Sequence, residues 1–188
     1  MPPKVRITKE DIIRAALEIT RQEGADAVNA REIAGRLRCS TQPVFSNFTS
    51  MEELRGAVTA SADALYQQYT RSEIEADKYP AYKASGMAYI RFAREEKELF
   101  RLLFMRDRSG EPAQGETEEL RSVYGLLRAG TGLDEDRARL FHLEMWAYVH
   151  GIAVMLATGY LELDTELISK MLTDAYQGLK NRYKAEEE

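Results

Sequence analysis

The chain has 188 residues, 31 acidic against 26 basic, for a net charge of -5 and a pI near 5.3, so bulk charge gives no sign of a nucleic-acid partner. With 44% hydrophobic residues it can bury a substantial core, and one cysteine excludes an intramolecular disulfide and a cysteine-rich metal site. Charge is uneven along the chain: residues 1–60 hold nine basic against eight acidic side chains, leaving 17 against 23 in residues 61–188, so phosphate would be tolerated only by the front end.

A short arm, Met1 to Ile7, carries Lys4 and Arg6 and reads either as a solvated tail or as an arm following a phosphate backbone or minor groove. With no apolar core there, no signal peptide is expected. Thr8 and Asp11 form a capping pair ahead of Ile12, Ile13, Ala16 and Leu17, which recur at helical spacing until Gly24 stops the helix. Asn29 is the next N-cap, with Glu32 able to reach back to it, and Ile33, Ala34 and Leu37 make the apolar face. A turn falls at Arg38 and Cys39. Ser40 then opens a second short helix from Thr41 to Phe48, with Pro43 in the first turn, where no N–H is needed. Val44 and Phe48 form its buried side. Thr41, Gln42, Ser46 and Asn47 are left outside: small hydrogen-bonding groups without carboxylates, suited to a helix placed among base edges and phosphates.

Ser50 and Glu53 cap a long helix through Leu54, Ala57, Val58, Leu65 and Tyr69, and no Gly/Ser-rich linker interrupts it. A domain boundary is expected inside it, near residue 60. Pro80 starts one or two further helices through Met87, Ile90, Phe92, Leu99, Leu102, Leu103 and Phe104, and Asp107 to Gly115 reads as loop. A helix from about Glu116 ends at Gly130 and Gly132. The next, Asp134 to Thr158, is apolar almost all round from Leu143 onward, as expected of a helix buried against its own core and another chain, with Ala147 and Gly151 small enough for close approach. Its apolar run, Met145 to Ala157, is too short to span a bilayer. Asp164 caps a final helix whose Ile168, Leu172, Ala175, Leu179 and Tyr183 form a near-heptad stripe. The reading is all-α throughout.

Arg31-Glu32-Ile33-Ala34, Ser40, the pair Phe45 and Phe48, and Ser50 with Glu52-Glu53-Leu54 resemble the TetR family of bacterial transcriptional regulators over about residues 8 to 60. Trp146, His150 and Gly151 are similar to the W-x-x-x-H-G signature of one branch of its ligand-binding domains. The resemblance implies a three-helix helix-turn-helix head (1–60) on a larger ligand-binding and dimerisation bundle (61–188), about nine helices in all. It further implies a cytoplasmic homodimer, acting as a repressor, that binds a pseudo-palindromic double-stranded DNA operator and is released by a small apolar or aromatic effector. Candidate DNA contacts are Lys4, Arg6, Asn29, Arg38, Thr41, Gln42, Pro43, Phe45, Ser46, Asn47 and Thr49, with Gln42 the first choice for a base edge. Three positions depart from the family pattern: Arg38 where Gly is usual in the turn, Phe45 where a Tyr often offers its hydroxyl to a phosphate, and Met51 where Lys is usual. The alternative is therefore a small-molecule-binding helical protein with weak or lost DNA binding.

The body holds more aromatic side chains than a small bundle requires, and Tyr89, Phe92, Phe100, Phe104, Tyr124 and Trp146 are the candidate effector contacts. Ala147, Gly151, Ile168, Leu172, Ala175 and Leu179 are the candidate dimer contacts. His142 and His150 have no carboxylate or thiol spaced to complete a ligand set, so no metal and no other cofactor is expected. There is no Gly-rich phosphate loop and no G-x-S-x-G, and no enzymatic activity is expected.

Overall fold

The computed structural model describes residues 7–107 and 117–185. Lys4 and Arg6, and most of the Asp107 to Gly115 stretch, lie outside the described residues. Nine α-helices run through the described chain, with no strand among those residues: α1 Lys9–Glu23, α2 Ala30–Leu37, α3 Gln42–Asn47, α4 Met51–Glu75, α5 Ala81–Glu95, α6 Lys97–Phe104, α7 Glu118–Thr131, α8 Glu135–Ala157 and α9 Thr165–Ala185. A 3-10 turn, Ala25–Ala27, joins α1 to α2.

Most helix ends fall where the capping chemistry places them. Thr8 and Asp11 close a reciprocal capping box at α1, and the chain leaves that helix at Gly24, whose φ of 89° suits glycine. Asp134 caps α8 by accepting from the Arg137 amide, and Gly132 ends α7 in the left-handed region. Asp164 caps α9 by accepting from the Leu167 amide at 2.7 Å.

The chain divides into two compact units, Met1–Gln67 with Glu96–Arg106, and Gln68–Glu95 with Asp107–Glu188. In the first, α1 packs against α2, α3 and α6. Its core is Ile12, Ala16 and Ile19 of α1, Ile33 of α2, Val44 and Phe48 at α3, and Leu54 and Val58 of α4. α6 follows α5 after a single non-helical residue, Glu96, yet its Leu102 packs on this core. Its apolar pattern continues that of α5, which from the sequence alone puts it in the body.

The second unit is a bundle in which α5 lies along α8, with α7 and α9 against both. Leu127, Leu133, Ala138, Phe141, Met145 and Tyr183 form one of its cores. By length and composition α8 could cross a bilayer, but eight of its residues are buried within the protein, which is the pattern of a bundle's central helix.

Candidate nucleic-acid interface

Asn29 sets the start of α2: its Oδ1 accepts from the amides of Arg31 (3.0 Å) and Glu32 (3.1 Å), and its Nδ2 donates to the Ala27 carbonyl (3.1 Å). The side chain is thus spent on the helix terminus. At the far end the Cys39 N–H reaches the Ala34 carbonyl (3.0 Å) and the Arg38 N–H the Gly35 carbonyl (3.2 Å), the paired closure that needs a left-handed residue. That residue is Arg38, at φ 52° and ψ 45°, a conformation that costs a non-glycine residue about 1 kcal/mol or more.

α3 begins one residue later than the sequence reading placed it. Ser40 was the expected cap, but Thr41 takes that place at φ -72° and ψ -14°, already helical, and its hydroxyl makes no cap hydrogen bond. A capping side chain needs extended backbone to swing over the first amides. Pro43 removes one of those amides from the problem.

With Val44 (1% exposed) and Phe48 (4%) turned into the core, the outer side of α3 carries Gln42 and Phe45. Ser46 Oγ donates to the Gln42 carbonyl (2.9 Å) and Asn47 Nδ2 to the Pro43 carbonyl (2.8 Å), so both are folded back onto their own helix. The Thr41 hydroxyl and the Gln42 amide have no side-chain partner among the described residues.

The start of α4 is tied to α1. Glu53 Oε2 accepts from the Thr49 N–H (2.7 Å) and hydroxyl (2.9 Å), and its Oε1 from Lys9 Nζ (2.8 Å), while Lys9 also stands over the Phe48 ring at 4.6 Å. Lys9 first, then the Thr49 donors, hold the Glu53 carboxyl down to about 2. Both donors of Thr49, which the sequence reading offered to DNA, are occupied by this carboxylate. Met51 packs against the head core, so its sulfur-bearing chain fills space inside the unit.

Among the basic residues of the helix-turn-helix, Arg36 is paired to Glu23 at 2.6 Å. Arg31 and Arg38 are exposed and hold no ion pair among the described residues. From the sequence alone Arg31 stands out only as part of the Arg31-Glu32-Ile33-Ala34 motif. Its exposure beside the Asn29 cap, legible from its place in the first turn of α2, adds it to the candidate surface.

In the second unit Tyr89 is buried and its hydroxyl lies 2.8 Å from His150 Nδ1, with Trp146 stacked on that imidazole at 4.9 Å and 12°. Tyr82 makes the matching contact to His142 Nδ1 at 3.2 Å, and Tyr124 meets the His142 ring edge-on at 5.5 Å. Burial lowers the pKa of both histidines and raises that of Tyr82. Phe92 is fully buried, edge-on to Tyr69. Phe100 and Phe104 belong to the first unit, where Phe104 packs on Tyr66 at 5.3 Å, so the six aromatic candidates are not brought together in one unit.

The dimer candidates also divide. Ile168 and Leu172, 1% and 3% exposed, are buried in the unit's own interior, and Leu172 Cδ1 lies 3.4 Å from where a Cβ on Gly86 of α5 would stand. The near-heptad stripe of α9 is thus partly its own bundle's packing, because a helix at the edge of a bundle shows the same spacing whichever neighbour it serves. Ala147 is exposed and Gly151 has open space around it, on a face of α8 that also bears Leu140 and Leu143, 50% and 58% exposed. Beside it a groove of about 370 Å³ between α8 and α9 is lined by Glu144, Met145, Tyr148, Ala175 and Leu179.

Residues 12–58 match the family model for bacterial regulatory proteins of the tetR family, and residues 82–176 match the tetracyclin repressor-like C-terminal domain. The chain is also similar to an uncharacterized HTH-type transcriptional regulator of Mycobacterium tuberculosis, 21% identical over 182 residues that cover 94% of this chain and 84% of that protein.

Proposed function

Since the chain belongs to the tetR family of transcriptional regulators, with a helix-turn-helix head and a tetracyclin repressor-like body, we propose that it is a homodimeric repressor released from its operator by a small apolar or aromatic molecule. The head (residues 1–60) reads DNA, and the body (61–188) binds effector and partner. The observation that carries this reading is the outer face of α3: an uncommitted Gln42 amide and Thr41 hydroxyl, no carboxylate, and the free guanidinium groups of Arg31 and Arg38 on the same helix-turn-helix. Gln42 takes the base edge, where a side-chain amide matches adenine N6 and N7. The arginines, with Lys4 and Arg6 of the arm, take phosphates, which set register without carrying sequence.

The dimer forms through the apolar face of α8 around Ala147 and Gly151, with Ala175 and Leu179 of α9 beside it, and each protomer supplies one reading head. Two heads on a rigid dimer address half-sites about one helical turn of DNA apart. Effector contacts come from Tyr89, Phe92, Tyr124 and Trp146 in the second unit. Because α4 contributes to both units, a shift at its body end is passed along one helix to the head, and a small pivot suffices to spoil the half-site spacing. The protein acts in the cytoplasm and performs no chemistry on its ligand.

A mobility shift with DNA from upstream of the protein's own gene tests the reading, repeated with compounds that raise the melting temperature of the free protein. Retarded DNA that is released by a stabilising compound supports it. A second reading, a ligand-binding bundle with little DNA affinity, is favoured by Lys9 and both Thr49 donors being held on Glu53. It predicts stabilising compounds but no shifted DNA.

A further inference from the structure

Among the described residues of the first unit Phe45 is 62% exposed, whereas the next most exposed large apolar side chain, Met105, is at 41%. Phe45 takes no part in the head core. It stands three residues after Gln42, which on a helix places the two side chains next to each other on one face. The polar neighbours Ser46 and Asn47 are committed to the carbonyls of Gln42 and Pro43, and no residue of α3 is charged. The outer face of this helix therefore offers one free amide and one phenyl ring.

A phenyl ring has no group with which to hydrogen-bond a phosphate oxygen or a base edge. What it gains on reaching DNA is removal of apolar surface from water. Among the groups displayed in the major groove one is apolar, the 5-methyl of thymine; cytosine carries only hydrogen at that carbon and offers the ring no methyl to cover. We propose that Phe45 is a specificity-determining residue that packs on a thymine methyl next to the base addressed by Gln42. This inference rests on the operator-binding reading above.

The test replaces thymine by deoxyuridine, which deletes only the methyl. DNA recovered by the wild-type protein from a random pool is resynthesised with each thymine changed in turn, and binding is measured at one salt concentration for wild type, Phe45→Ala and Phe45→Leu. Loss of one buried methyl should weaken wild-type binding about fourfold for each half-site at one particular thymine. Phe45→Ala should bind the thymine and uracil forms equally at that position, and Phe45→Leu should keep part of the discrimination. Circular dichroism checks the helical content of each variant, and if Phe45→Ala is unfolded the comparison of wild type with Phe45→Leu decides. Wild-type indifference to uracil at every position overturns the inference, as does the same loss in Phe45→Ala, while leaving operator binding intact. A protein that recovers no DNA overturns operator binding and this inference with it.

Discussion

Gly151→Leu is the substitution whose effects inside the chain and across a dimer separate most cleanly. No atom from outside its own stretch of helix lies within 4 Å of the Cβ that a side chain would add at Gly151, so the first carbon of a leucine there has open space. In the interior of α8 the change replaces a poor helix former by a good one, a gain of roughly 0.5–1 kcal/mol for the isolated chain. A partner helix packed close against this glycine would have to move away, at about 1–3 kcal/mol for overpacking. Two-fold symmetry brings the substitution in twice, so association weakens by about 2–6 kcal/mol. That corresponds to roughly 30-fold to 20,000-fold in the dimer dissociation constant. Sedimentation equilibrium from nanomolar to micromolar protein reads the dimer, and urea unfolding at low concentration reads the monomer. The expected pattern is a monomer as stable as wild type or more so, and a dimer lost or greatly weakened, with DNA binding falling in step. Wild-type dimerisation by the variant would place Gly151 outside the interface and refute the assignment of this face.

Two further outcomes follow from the titrating groups. Burial lowers the pKa values of His142 and His150 below the ordinary value of about 6.5. The stability this contributes is complete above about 6.5 and is lost as pH falls through the folded values, so the melting temperature should drop between about pH 7 and pH 5. A melting temperature flat over that range would contradict the burial of these imidazoles. Glu53→Gln removes the carboxylate that holds Lys9 and Thr49. It should raise affinity for random DNA and steepen the slope of log affinity against log salt by about 0.9 for each head in which Lys9 gains a phosphate. An unchanged slope would mean that Lys9 does not reach the backbone.

The helices were largely legible because their ends are written in local chemistry. The pairs Thr8 with Asp11 and Ser50 with Glu53, and single caps such as Asn29, Asp134 and Asp164, act over three or four residues, so the sequence alone exposes them. What was not legible depends on which side chain finds which neighbour. Thr49 and Ser46 look free in the sequence, yet one donates twice to Glu53 and the other to a carbonyl of its own helix. Ile168 and Leu172 carry a spacing that serves a partner chain or the protomer equally well, and they face inward. Phe100 and Phe104 continue the apolar pattern of α5, and only the break at Glu96 places them in the other unit. Local periodicity reports that a face is apolar; it does not say against what.

The most direct measurement is a competition titration at one fixed salt concentration, setting DNA recovered by the protein from a random pool against unrelated DNA of equal length, for wild type and Gln42→Ala. A reader of operators should prefer the recovered sequence by at least about 1,000-fold, with two half-sites about one helical turn apart. Gln42→Ala should remove about 1–3 kcal/mol of that preference and relax base choice at one position in each half-site. A preference below about tenfold, the same in both proteins, would be non-specific phosphate attraction and would contradict sequence reading by α3.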